Sequence, residues 1–152
     1  MTQTTRASIL TETQSTLVAA ATAAGSRVYI ARSDVFATVE LPAIALDIDR
    51  ETETIQVAGQ AGLCSPYMDR SSDLQLMLFA KGATDALADT ARDALVEAVR
   101  VALLGDVDWM KTIHSVTAVD VQYVIGDGDG QAFLAGAKMT IGLSYSHDYG
   151  AA

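Results

Sequence analysis

Residues 116–145 read VTAVDVQYVIGDGDGQAFLAGAKMTIGLSY, and the pattern of this stretch decides the fold. Two long runs flank one polar turn, Gly126-Asp127-Gly128-Asp129-Gly130. In the first run Val119, Val121, Tyr123 and Ile125 share one face, with Asp120, Gln122 and Val124 on the other. In the second, Met139, Ile141, Leu143 and Tyr145 share a face. Alternation with a period of two over this length predicts an antiparallel ribbon buried on one side. Strands this long exceed the needs of a small domain. They imply a further use, such as pairing with a neighbouring subunit.

Working outward, 152 residues suffice for one domain that buries about two-thirds of its unfolded surface. Half the residues are hydrophobic and only 19% are charged, which leaves apolar surface to spare and favours burial in a homo-oligomer. The formal charge is −9, from 19 acidic and 10 basic residues. That balance argues against gripping nucleic acid, although it suits a wall that DNA passes without being held. A single cysteine, Cys64, makes no internal disulfide and fits a reducing compartment. The N-terminal stretch is rich in Thr and Ala and lacks the basic start and apolar core of a signal peptide. No apolar run approaches the ~20 residues of a membrane-spanning helix. The expectation is an acidic, single-domain cytosolic protein with no membrane partner.

Residues 4–24 are predicted as a helix from the spacing of Leu10, Leu17, Ala21 and Ala24, with Gly25 as its C-terminal cap. A strand over 27–32 points Val28 and Ile30 inward, 33–40 connects, and Leu41-Pro42 breaks the backbone. The strand over 43–49 then turns Ile44, Leu46 and Ile48 in and Ala45, Asp47 and Asp49 out. A charged turn over 50–53 and a short returning edge strand over 54–58 are expected next. Residues 59–72 read as an irregular loop with Gly59, Gly62 and Pro66. Its apolar members Leu63, Tyr67 and Met68 are the candidate assembly residues, expected to be mobile in the free subunit and ordered by a partner. The strand over 73–80 is apolar on both faces, Leu74, Leu76 and Leu78 against Met77 and Phe79, and is therefore placed centrally. A second helix over 85–104 carries Leu87, Ala91, Ala94, Leu95, Ala98 and Ala102 as its core stripe, with Asp89, Arg92, Asp93, Glu97 and Arg100 off it. Gly105 ends it, and 106–114 connects, carrying Trp109. The fold class is α+β: a mostly antiparallel or mixed sheet packed by two long helices, in the order α-β-β-(β)-β-α-β-β with a long C-terminal hairpin.

Candidate chemistry is sparse. Asp127 and Asp129 supply two acids of a calcium loop, but residue 138 is Lys138 where a hand-type loop needs its bidentate Glu. A hairpin tip explains the same glycines and aspartates. Nor does that tip precede a helix with Lys-Ser/Thr, as a phosphate cradle does. His114, His147 and Cys64 have no partners at the spacing of a zinc site or a nucleophile–base pair. No catalytic, cofactor-binding or metal-binding residue is assigned, and the chain is expected not to be an enzyme.

The order of these phrases resembles a known family. A first helix leads into Arg27-Val28-Tyr29-Ile30, then Glu40-Leu41-Pro42-Ala43-Ile44 opens an alternating strand. The apolar strand Leu74 to Ala80 runs directly into a long amphipathic helix, and the closing ribbon ends in Leu143-Ser144-Tyr145. Over nearly its whole length the chain resembles the tail terminator proteins (tail completion, or minor tail protein U-like) of long-tailed bacteriophages and their prophage relatives. The resemblance implies one α+β domain over residues 1–152 that assembles into a ring, a hexamer, on the finished tail tube. There it stops elongation and presents the surface that joins the head. It implies no enzymatic activity and no cofactor. Its partners are other copies of the chain, the tail tube protein, a head-completion or connector protein, and DNA passing through the lumen. Its location is the virion tail, and the host cytoplasm during assembly. Two other readings stand beside it: a head–tail connector or tail-tube component, and a small-ligand or calcium-binding domain using Asp127 and Asp129.

Overall fold

A computed structural model describes residues 4–32, 36–55, 67–113, 115–125 and 133–148. The terminal ribbon forms as its alternation predicts, with β4 (Ser115–Ile125) antiparallel to β5 (Phe133–Asp148). Met139, Ile141, Leu143 and Tyr145 are buried, and Val119 and Val121 pack partly against the same core. The other flank of β5 lies along β3 (Tyr67–Gly82) in unbroken antiparallel register, from Tyr67–Asp148 to Gly82–Phe133. Next come β2 (Ala43–Ile55), antiparallel to β3, and the three-residue β1 (Val28–Ile30), parallel to β2. The sheet order is β1-β2-β3-β5-β4, so β3 is the central strand that its two apolar faces require. Leu74, Leu76 and Leu78 are fully buried, while Met77 and Phe79 are half-buried on the opposite side. The protein is α+β with a mixed, mostly antiparallel sheet.

Three helices share one face of this sheet. The first, α1 (Arg6–Ala19), opens with a reciprocal cap between Thr5 and Ser8 and buries Ile9, Leu10, Thr13 and Leu17. The second, α2 (Asp85–Leu104), is capped by the Thr84 hydroxyl, which accepts the Leu87 N–H at 3.2 Å. Both join one core with Ile44, Leu46 and Ile48 of β2, the β3 leucines and the inward residues of β5. Val28 on β1 is buried in the same cluster and Ile30 is partly buried against it, as expected.

Several details differ from the sequence reading. The connection after α2 contains a third helix, α3 (Val107–Ile113), whose start is capped by Asp106 Oδ1 accepting the Trp109 N–H at 2.8 Å. Seven residues are too few for a helical period to show. Trp109 is fully buried and its indole N–H donates to Thr13 Oγ1 at 2.9 Å, locking α3 to α1. The helix predicted over 4–24 stops at Ala19, capped by Ala20. Ala21 takes a φ of 51° and Gly25 one of 57°, a reversal that returns the buried Ala24 to the core. The charged turn expected at 50–53 is absent, and no new strand begins at 54; residues 56–58 of the expected returning strand lie outside the described residues. Residues 50–55 simply continue β2, because a bulge absorbs the change in the polar pattern. Residues 67–72, expected in the irregular loop, continue β3.

The core stripe of α2 is also rotated from its predicted position. Ala88, Arg92, Leu95, Val96, Val99 and Leu103 face the sheet, whereas Leu87 is 55% exposed and Ala94 is exposed. Alanines at nearly every turn blur the apolar stripe, and the valines settle the choice because they fill more volume against β3 and β5. Arg92, assigned to the solvent side, is only 7% exposed. It is held by Asp89 and Asp93 and lies 4.7 Å over the Tyr123 ring of β4.

Candidate assembly surfaces

The helices are much shorter than the strands they cover. The 20 residues of α2 span about 30 Å, whereas the 16 residues of β3 or β5 span about 53 Å. The inward face of the sheet changes character accordingly. Toward the end formed by 50–55, 67–72 and 143–148, leucines give way to Glu51, Glu53, Ser72, Arg70 and Tyr145. The Tyr145 hydroxyl donates to Glu51 Oε1 at 2.7 Å, and Arg70 Nε bonds the Glu53 carboxylate. On the opposite face Ser146 Oγ and Asp69 Oδ1 lie 3.1 Å apart. Tyr145 is 2% exposed. Burial first, and then the bond to the Glu51 carboxylate, push its phenol up to about 12. These cross-strand bonds tie three strands together where hydrophobic packing is thin.

Two bulges meet at one level of the sheet. In β2, Asp49 and Arg50 stand between the rungs Ile48–Leu74 and Glu51–Ser72. In β4, Thr117 stands between Val116–Leu143 and Ala118–Gly142. Asp73 and Gly142 are partners across β3 and β5, so the two bulges flank a single rung. A bulge bends its strand and deepens the local twist. Between them lies a cleft of about 260 Å³ lined by Arg50, Thr52, Ser71, Asp73, Thr117 and Gly142. A Cβ on Gly142 would sit 2.5 Å from Thr117 Oγ1, so the bulged threonine side chain packs directly over the glycine.

The sheet's two margins are finished differently. At one, β1 accompanies β2 only along Ile44–Leu46, extended by the Ala31 N–H donating to Leu46 O at 2.8 Å. Beyond it, Arg6 Nε donates to Ile48 O at 2.7 Å, and Asp47 Oδ1 accepts the Ile48 N–H at 2.9 Å. From residue 50 to 55, β3 is the only strand beside β2 among the described residues. The opposite margin is β4, whose 11 residues pair only with β5 among the described residues. Tyr123 and Val124 near its end are about half exposed. On the bare face of the sheet, Tyr29, Phe36 and Phe79 form a stack with centroids 5.5 and 5.3 Å apart. Arg32 lies over Phe36 at 4.2 Å and is paired with Glu40. The Ala37 N–H and then Arg32 hold the Glu40 carboxyl below its usual range.

Of the predicted assembly residues, Met68 is half-buried in β3 opposite Ile55 and His147, and Tyr67 opens the same strand opposite Asp148. Leu63 lies outside the described residues, as do Cys64, His114 and the turn with Asp127 and Asp129. Among the described residues no three His, Cys, Asp or Glu side chains gather to hold a metal ion, and no helix is long and apolar enough to cross a membrane. The sequence reading missed the paired bulges. Its one available signal was Gly142, an otherwise unexplained glycine inside a strand. Compared with known proteins, the chain matches no family model and no curated sequence.

Proposed function

We propose that this chain is a structural subunit of the phage tail terminator type. It forms a ring with copies of itself, caps the tail tube, stops elongation and offers a surface to the head-joining protein. The observation that carries this reading is the excess of strand over helix. Four strands of 11 to 16 residues stand against helices of which the longest, α2, spans about 30 Å, and the sheet has an unpaired margin on each side among the described residues. A lone small domain gains little from such strands, and exposed strand margins favour association. Two different margins make a head-to-tail contact, which closes into a ring when the rotation per subunit divides the circle. The net charge of −9 suits a ring that DNA traverses without being bound.

The same margins also fit a tail-tube component, and purified protein separates the two. A terminator forms a closed ring of fixed mass and, added to tubes, sits at one end. A tube protein polymerises without limit. Electron microscopy together with light scattering over a concentration series is the deciding experiment, and a particle that stays monomeric at high concentration and on tubes overturns both readings. Calcium binding to the Asp127–Asp129 turn is checked by calorimetric titration, in which heat saturating at one ion per chain supports the ligand-binding reading instead.

A further inference from the structure

We infer that the ring contact is a strand pairing. The β4 margin of one copy lies against residues 50–55 of β2 in the next, which continues the sheet around the assembly. This rests on the ring reading above and adds the surface that makes the contact.

Three observations lead there. First, β4 is left unprotected. Natural edge strands are blunted by lysine, proline, bulges or shortness. From Ala118 to Ile125, β4 has no Lys, no Pro and no register break, and its single charge is Asp120. The other margin is protected where protection is affordable: Arg6 and Asp47 occupy the Ile48 peptide groups, and β1 covers the rungs before it. Only residues 50–55 remain beside β3 alone among the described residues.

Second, the directions agree. Strands β2, β3, β5 and β4 alternate in direction along the sheet, so β4 runs opposite to β2. In a ring every copy points the same way about the axis. The junction is therefore antiparallel, and the helix-covered faces of neighbouring copies fall on the same side.

Third, the Arg6 plug limits how far the neighbouring strand can travel. The register that stops short of it sets Val124 beside Arg50, Gln122 beside Thr52 and Asp120 beside Thr54. Tyr123 and Val121 then fall on the inward face beside Glu51 and Glu53. Arg70 balances the charge of Glu53 and the Tyr145 hydroxyl holds Glu51 Oε1, so both carboxylates are fixed by bonds within their own copy before they meet the neighbouring strand. The half-exposed Tyr123 and Val124 become covered.

The test uses the full chain with Cys64→Ser as background and Thr52→Cys combined with Gln122→Cys. Both positions are exposed, so neither change disturbs the core. Thiols held opposite one another react as though at about millimolar concentration. Mild oxidation is expected to give a ladder ending at the size of the ring, about a thousandfold faster than collision between free chains at micromolar concentration. Either single-cysteine variant gives at most slow dimers. If scattering shows the ring but the double variant cross-links no faster than the single ones, the strand pairing is wrong and the ring reading survives. If scattering shows monomer at every concentration, the ring reading falls and the pairing falls with it.

Discussion

At the scale of single residues, the backbone sets the sharpest constraints. A Cβ on Gly82 would stand 2.3 Å from the Ala88 nitrogen and 2.7 Å from the Leu87 carbonyl carbon, backbone atoms in the first turn of α2. Gly82→Ala therefore has to push the helix off the end of β3. A loss of about 3 kcal/mol or more is expected, read as a lower midpoint in urea with unchanged slope. Tyr145 makes a different kind of contribution. Its phenol is raised to about 12 from an ordinary value near 10, so the native state favours the neutral form. The stabilisation is complete below pH ~10 and disappears as the pH rises through the native value near 12. Tyr145→Phe is expected to cost about 1 kcal/mol at pH 7 and to remove this alkaline dependence. Stability curves of the two proteins that fall in parallel between pH 10 and 12 would contradict the assignment.

At the scale of elements, α2 shows how composition misleads and volume decides. Alanine is common on all sides of it, so periodicity alone selected a stripe through Leu87 and Ala94, both of which are exposed. The sheet receives Leu95, which that stripe includes, together with Val96, Val99 and Leu103, which it does not. Leu95→Ala is expected to cost about 2–5 kcal/mol through the cavity it leaves, and Leu87→Ala less than about 0.5 kcal/mol. Thermal unfolding of the pair discriminates the two helix orientations, since the predicted stripe requires both changes to be severe. The C-terminal ribbon was legible for the opposite reason. Its inward positions are large and its outward ones polar or small, and period two has no competing phase once one face is buried.

At the scale of the whole molecule, the proposed ring ties stability to concentration. Association should raise the thermal midpoint with protein concentration, because assembly stabilises the folded subunit by mass action. A midpoint constant over a hundredfold dilution across the association range contradicts self-assembly. In complementation of a terminator-defective phage, Asp127→Ala, Asp129→Ala, His114→Ala and Cys64→Ser are each expected to retain tail capping, since the proposed subunit works by surface and shape. Leu76→Ala, fully buried in β3, is expected to fail by unfolding at about 2–5 kcal/mol. A polar variant that folds and forms rings yet fails to cap tails would reveal a specific site at that position.

What the sequence by itself determined is local and periodic. The alternation of β5, the two-faced apolarity of β3 and the long second helix, with Gly105 as its end, follow from side-chain spacing and backbone propensity, and all three stand in the structure. The tertiary structure alone decided what depends on residues distant in the chain. Insertion of β5 between β3 and β4, burial of Arg92 beneath Tyr123, and the lock of Trp109 onto Thr13 join positions that no local pattern relates. The charged segment at 50–53 shows the division most plainly. Its residues read as a turn, yet the bulge opposite Asp73 lets the strand continue, and Tyr145 and Arg70 supply the partners that Glu51 and Glu53 need. Those partners lie 94 and 17 residues away along the chain, so only folding brings them within hydrogen-bond reach.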